Sequence, residues 1–214
     1  MFLNAPRKEI HLFFLIAFFQ ICGLIGVLFI DRDLTLSLTP QNLLVTTFSI
    51  FFIYEDKIKM LRFFIFAFSI GFLVEVIGVN YGIIFGNYKY GTVLGFKVLN
   101  VPLMIGVNWF FLSIACGGIS DMMFNKLLPR IFFASFLMVL LDLLIEPLAP
   151  VLNFWEFEGG IAPIKNYIGW FMTSFLIQLI YQRMKINFSP LFSVLVYLSL
   201  SLIHISEPTR LDDI

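Results

Sequence analysis

Residues 142–170 read DLLIEPLAPVLNFWEFEGGIAPIKNYIGW. The stretch begins inside one apolar run and ends inside the next. It holds four acids (Asp142, Glu146, Glu156, Glu158), three prolines and two tryptophans. A polar, proline-punctuated connection between two greasy runs is what joins successive membrane helices. Working outward from it, the rest of the chain repeats the pattern.

The 214 residues are 60% hydrophobic and 13% charged, with mean hydropathy +0.95 and 28 phenylalanines. Soluble domains carry about 25% charged residues. The composition therefore predicts an all-α, polytopic integral membrane protein in a single membrane domain over 1–199. Formal net charge is zero, which gives no pointer to nucleic acid as a partner. Cys22 and Cys116 both sit in apolar runs and read as small buried side chains.

About 20 mostly apolar residues span a bilayer. Seven segments meet or approach this: 10–30, 39–54, 61–79, 101–119, 130–146, 166–182 and 188–203. The first is too long for a signal-peptide core and lacks a small-x-small cleavage site. With the N-terminus cytoplasmic, nine Lys or Arg fall on that side and four on the other, as the positive-inside rule favours. The long connections 80–100 and 147–165 then share the non-cytoplasmic side. The last residues, 200–214, resemble a translated sequencing-library adapter and are expected to be a non-native tail, so His204, Glu207 and Arg210 are assigned no chemistry.

Three carboxylates fall within or at the end of membrane segments: Glu75, Asp142 and Glu146. A central Asp costs at least about 2.5–3.5 kcal/mol on insertion scales, so such groups face the protein interior and suggest function. Asp142 and Glu146, spaced i, i+4, share a helix face about 6 Å apart along the axis. Two carboxylates that close do not both ionise easily in a dry place, so one is expected to act as an acid near neutral pH. The plainer reading makes Glu146 an interfacial helix end and gives Asp142 a neighbouring donor. Glu156 and Glu158 read as solvated or lid residues. Gly78, Gly82 and Gly86 read as a small-xxx-small packing ridge. Tyr81, Tyr88 and Tyr90, Asn108 and Trp109, Trp155, and Asn166, Tyr167 and Trp170 all map to the half of the membrane that holds the long loops. The chain has two histidines and no His-based metal site, Cys-x-x-Cys, Asp-rich diphosphate motif or G-x-S-x-G.

EVIGVNYGIIFGNYKYG (75–91), Leu94-Gly95, Val101-Pro102, Asn108-Trp109, D-x-x-x-E-P from Asp142, NFWEF (153–157), Ala162-Pro163 and NYIGW (166–170) follow in order. This series resembles the membrane carotenoid hydratases of the bisanhydrobacterioruberin hydratase and gamma-carotene 1'-hydroxylase type, over about Phe64 to Trp170. The resemblance implies addition of water across the terminal C1=C2 bond of an acyclic carotenoid end, without a cofactor, in a bacterial or archaeal cell membrane. It implies a carotenoid drawn from the bilayer as substrate, membrane lipids as surroundings and other carotenoid-pathway enzymes as neighbours. On that footing Asp142 or Glu75 donates the proton, and the other, or Glu146, activates water. Asn108, Asn166 and Tyr81 position water or hold a carboxylate. Tyr88, Trp109, Trp155 and Trp170 line the end-group pocket. The rival reading is a proton-coupled small-molecule transporter or lipophile-binding membrane protein, in which the same carboxylates couple ions; a plain scaffold would leave Glu75 and Asp142 without a use.

Overall fold

The computed structural model describes residues 7–206. Helix α1 (Arg7–Ile25) runs on into a π-helical turn (Gly26–Ile30), followed by a short α2 (Arg32–Ser37) and α3 (Thr39–Ile53). Then come α4 (Lys57–Tyr81), α5 (Leu103–Met123), α6 (Leu127–Ile145), α7 (Ile164–Arg183) and α8 (Pro190–Ser206). Each of the seven apolar runs forms a long helix within a few residues of its expected bounds. The fold is all-α and polytopic. Residues 207–214 of the suspected tail lie outside the described residues.

Local chemistry sets the helix ends. Asp31 caps α2 through Leu34 N at 2.9 Å, and Asp56 caps α4 through Lys59 N at 2.9 Å. Each side-chain oxygen satisfies one of the backbone donors that a helix start leaves orphaned. At the other end of α4, Gly82 takes φ +65° as the cap residue, a left-handed conformation glycine adopts without penalty.

Among the described residues, five stretches, 8–30, 32–53, 57–81, 103–123 and 127–145, are long and apolar enough to cross a membrane. α7 is more polar because it turns Asn166, Thr173, Ser174 and Gln178 inward, where all are buried. α5 is the core helix. It is apolar all round, as a helix enclosed by others must be, and it packs against α3, α4, α6, α7 and α8.

The two long connections meet at the end of the bundle that holds the C-termini of α4 and α6. Strand β1 (Tyr88–Tyr90) in the first pairs antiparallel with β4 (Trp155–Phe157) in the second, Tyr88 opposite Phe157 and Tyr90 opposite Trp155. Between them in sequence, β2 (Lys97–Val98) and β3 (Val101–Pro102) form a tight hairpin. Its two turn residues, Leu99 and Asn100, have φ 50° and 68°, the geometry of a two-residue hairpin turn. Asn80 Nδ2 donates to Leu99 O at 3.0 Å and ties that turn to the end of α4.

Two expectations are corrected here. Gly82 and Gly86 are not on a helix: both lie past the end of α4 with positive φ, 65° and 102°. They shape the turn into β1 and form no packing ridge; of the three, only Gly78 is helical. Cys22 is exposed, whereas Cys116 is buried as expected. α1 stands at the periphery, so an apolar run there does not imply burial in protein.

Candidate active site

Glu75 sits six residues before the end of α4, about 9 Å down the helix at 1.5 Å per residue, and is only 2% exposed. Its carboxylate accepts three hydrogen bonds. Tyr88 and Tyr90 donate their hydroxyls to Oε2, the latter at 2.7 Å, and Trp109 Nε1 donates to Oε1 at 3.2 Å. The two tyrosines reach the same oxygen because residues i and i+2 of a strand point the same way. Lys89 between them points out and pairs with Glu156 at 3.2 Å, with both side chains more than half exposed. Trp109 reaches Glu75 because Gly71, one turn before it on α4, has no side chain. A Cβ at Gly71 would lie 2.3 Å from Trp109 Cγ.

Asp142, on the last turn of α6, is equally buried. Asn166 at the start of α7 donates Nδ2–H to its Oδ2 at 2.7 Å. Its second oxygen, Oδ1, is buried with no hydrogen-bond partner among the described residues. Glu146, one turn on and just past the last spanning residue of α6, accepts from Trp155 Nε1 at 2.9 Å. Burial pushes its carboxyl up to about 7, against the opposing pull of the Trp155 hydrogen bond.

The three carboxylates line one cavity of about 20 Å³, room for roughly one water molecule. Tyr88, Tyr90, Asn108, Trp109, Trp155, Asn166 and Trp170 complete its polar and aromatic wall. The indoles of Trp109 and Trp170 stack at 4.3 Å between centroids. Nine of the ten sequence-selected residues thus converge on this cavity. Tyr81 does not: it ends α4 71% exposed and is not among the residues that line the cavity. Tyr90 was noted in sequence but given no role, although it holds Glu75. Its signal was the Tyr-x-Tyr alternation at 88–90, readable only if the segment is a strand. Phe85, Ile105 and Phe157 complete the wall, and nothing in composition separates them from the other apolar residues. Glu156 and Glu158 are exposed; Glu158 accepts from Asn87 Nδ2 at 2.9 Å and helps fasten the two connections.

The family profile described as "Carotenoid biosynthesis protein" matches residues 40–203, which includes every residue of this cavity. The chain belongs to the carotenoid biosynthesis protein family. Searches of curated proteins and of solved structures return no match. Membership places this family member in carotenoid biosynthesis, and the matched span runs from α3 into α8. Within it, the family member concentrates its buried acids in one water-sized space at the loop end of the bundle. Such a site has a carboxylate held by three hydrogen-bond donors, a carboxyl oxygen without a partner among the described residues, and two stacked indoles.

Proposed function

We propose that this protein is a carotenoid hydratase that adds water across the terminal C1=C2 bond of an acyclic carotenoid end, giving a tertiary alcohol. The observation that carries the reading is the water-sized cavity in an apolar bundle, walled by three carboxylates of which Asp142 alone keeps a buried, unpartnered oxygen. Asp142 Oδ1 carries the proton that is delivered to C2, and the alkene π pair forms the new C–H bond. The positive charge then rests on C1, where the stacked faces of Trp109 and Trp170 and the charge of Glu75 stabilise it. Water attacks C1 and gives up its proton to Glu146. Asp142 and Glu146 lie one turn apart on one face of α6, so the proton returns to Asp142 and the cycle closes with one water consumed. Acid–base assistance of this kind contributes typically 10²–10⁴-fold.

The same division of roles explains the hydrogen bonding. Glu75 has a donor on each of its two oxygens, which suits it to a fixed, charge-stabilising role. Asn166 fixes Asp142 by one oxygen and leaves the other for the reaction. The excess of Lys and Arg supports a cytoplasmic N-terminus, with the site near the opposite face of the membrane. Expression in a lycopene-producing host tests the reading: pigments heavier by one water are expected from the wild type and absent with Asp142→Asn. Unchanged pigment from well-expressed wild type overturns it.

A further inference from the structure

A second cavity, a groove of about 540 Å³, adjoins the water-sized one and shares Ile105, Asn108, Asp142 and Trp155 with it. Its volume falls in the range of small-molecule sites, about 300–1,000 Å³. From this shared inner end the groove runs between α5 and α6 on one side and α1, the π-helical turn, α2 and α3 on the other. Its walls are mostly aliphatic and phenylalanine. Among its fewer polar residues, Asn42 Nδ2 donates to Gln20 Oε1 at 3.3 Å, while Asn42 Oδ1 is buried without a partner among the described residues. The outer lip carries Phe18 and Phe19, 61% and 40% exposed, on the peripheral face of α1. In a membrane protein that face meets lipid, so the groove opens sideways to the bilayer.

Two features of α1 keep the groove open. The π-helical turn at Gly26–Ile30 widens the helix where it lines the groove, and such bulges frequently mark functional sites. Gly23 lines it too, and a Cβ built there meets no atom of the described residues within 4 Å. A glycine in a helix interior costs about 1 kcal/mol relative to alanine. Here no neighbour requires it, whereas at Gly71 an indole does. The open space in front of Gly23 is what its missing side chain preserves.

We propose that this groove is the binding site for the extended apolar chain of an acyclic polyene, entering from the bilayer at α1 with its reacting end at Asn108 and Asp142. The proposal rests on the hydratase reading for which end reacts, but chain binding is measured without turnover. The continuity of the two cavities puts the alkene terminus beside the acid and leaves the rest of the hydrocarbon against hydrocarbon. Gly23 sets how much of the chain the groove admits.

The test purifies the protein from lycopene-producing cells, in an Asp142→Asn background so that bound lycopene is not converted, and measures lycopene retained per protein by absorbance. Adding Gly23→Trp should lower retention by about tenfold or more, an effect on the order of 1.4 kcal/mol. Adding Leu73→Trp, an exposed α4 position outside the groove, should leave retention unchanged. Val45→Phe, which narrows the groove from α3, gives a second reading should Gly23→Trp reduce protein yield. Retention unaffected by both groove variants, or no lycopene held by the parent, overturns the proposal. Groove-dependent retention in a protein whose wild type never hydrates the polyene would instead overturn the hydratase reading and leave the groove standing.

Discussion

Asp142 and Glu75 are both buried carboxylates near the same end of the bundle, yet their hydrogen bonding differs. Glu75 faces three donors, of which Trp109 Nε1–H can only donate. Glu75→Leu leaves all three unpaired, at about 1–3 kcal/mol for each buried group. Glu75→Gln costs less, because the tyrosine hydroxyls can rotate to accept from the amide. Thermal unfolding in detergent should therefore rank wild type above Gln and Gln above Leu; equal melting of the two variants would show that the donors are satisfied otherwise. Glu146 gives a pH test. Its carboxyl rises from 4.5 to about 7 on folding, so the folded protein holds that proton more tightly than the unfolded chain. Its contribution to stability is full below 4.5 and lost as pH rises through about 7. In the proposed mechanism the dependence runs the other way, since only the ionised form accepts a proton from water. Hydration rate should rise through pH 7, and Glu146→Gln should lower the rate and remove that limb; an unchanged pH profile in this variant takes Glu146 out of the proton path.

Among the elements, α4 and the β1–β4 pair do the positioning. Gly71 admits Trp109 to Glu75, so Gly71→Ala drives a methyl into a fully buried ring. Overpacking costs typically 1–3 kcal/mol, which outweighs the helix-propensity gain of about 1 kcal/mol. The variant should melt lower than wild type; a higher melting point would mean that Trp109 moves freely. Much of this scale was legible beforehand. The seven helices follow from the length and hydropathy of their runs, because a bilayer demands both. Asp142, Glu146, Asn166 and Trp170 were legible because polar groups in apolar runs are costly and so stand out. The pairing of 88–90 with 155–157 was not, since three-residue strands leave no periodicity to read. Tyr81 looked equivalent to Tyr88 by type and place; only the helix end at Tyr81 and the turn at Gly82 separate them. The glycine spacing of 78, 82 and 86 imitates a helix ridge, and the left-handed φ at Gly82 is what breaks it.

For the whole molecule, the bundle places Glu75, Asp142 and Glu146 at one end and holds a mostly apolar groove beside them. We propose from the Lys and Arg distribution that this end faces away from the cytoplasm. Glu158→Cys, on the exposed connection, should react with a membrane-impermeant thiol reagent added to intact cells; protection there with labelling only after lysis would invert the orientation. A water-consuming reaction on a lipid-soluble chain needs both phases at one point, and the cavity and groove meet at Asn108 and Asp142. The most direct measurement is the mass of the pigments made when wild-type protein and Asp142→Asn are expressed at equal levels in a lycopene-producing host. Wild type should yield carotenoids heavier by one water, and Asp142→Asn at least about 100-fold less of them. Unaltered pigments from wild type, or equal yields from the two proteins, would contradict a hydratase that works through Asp142.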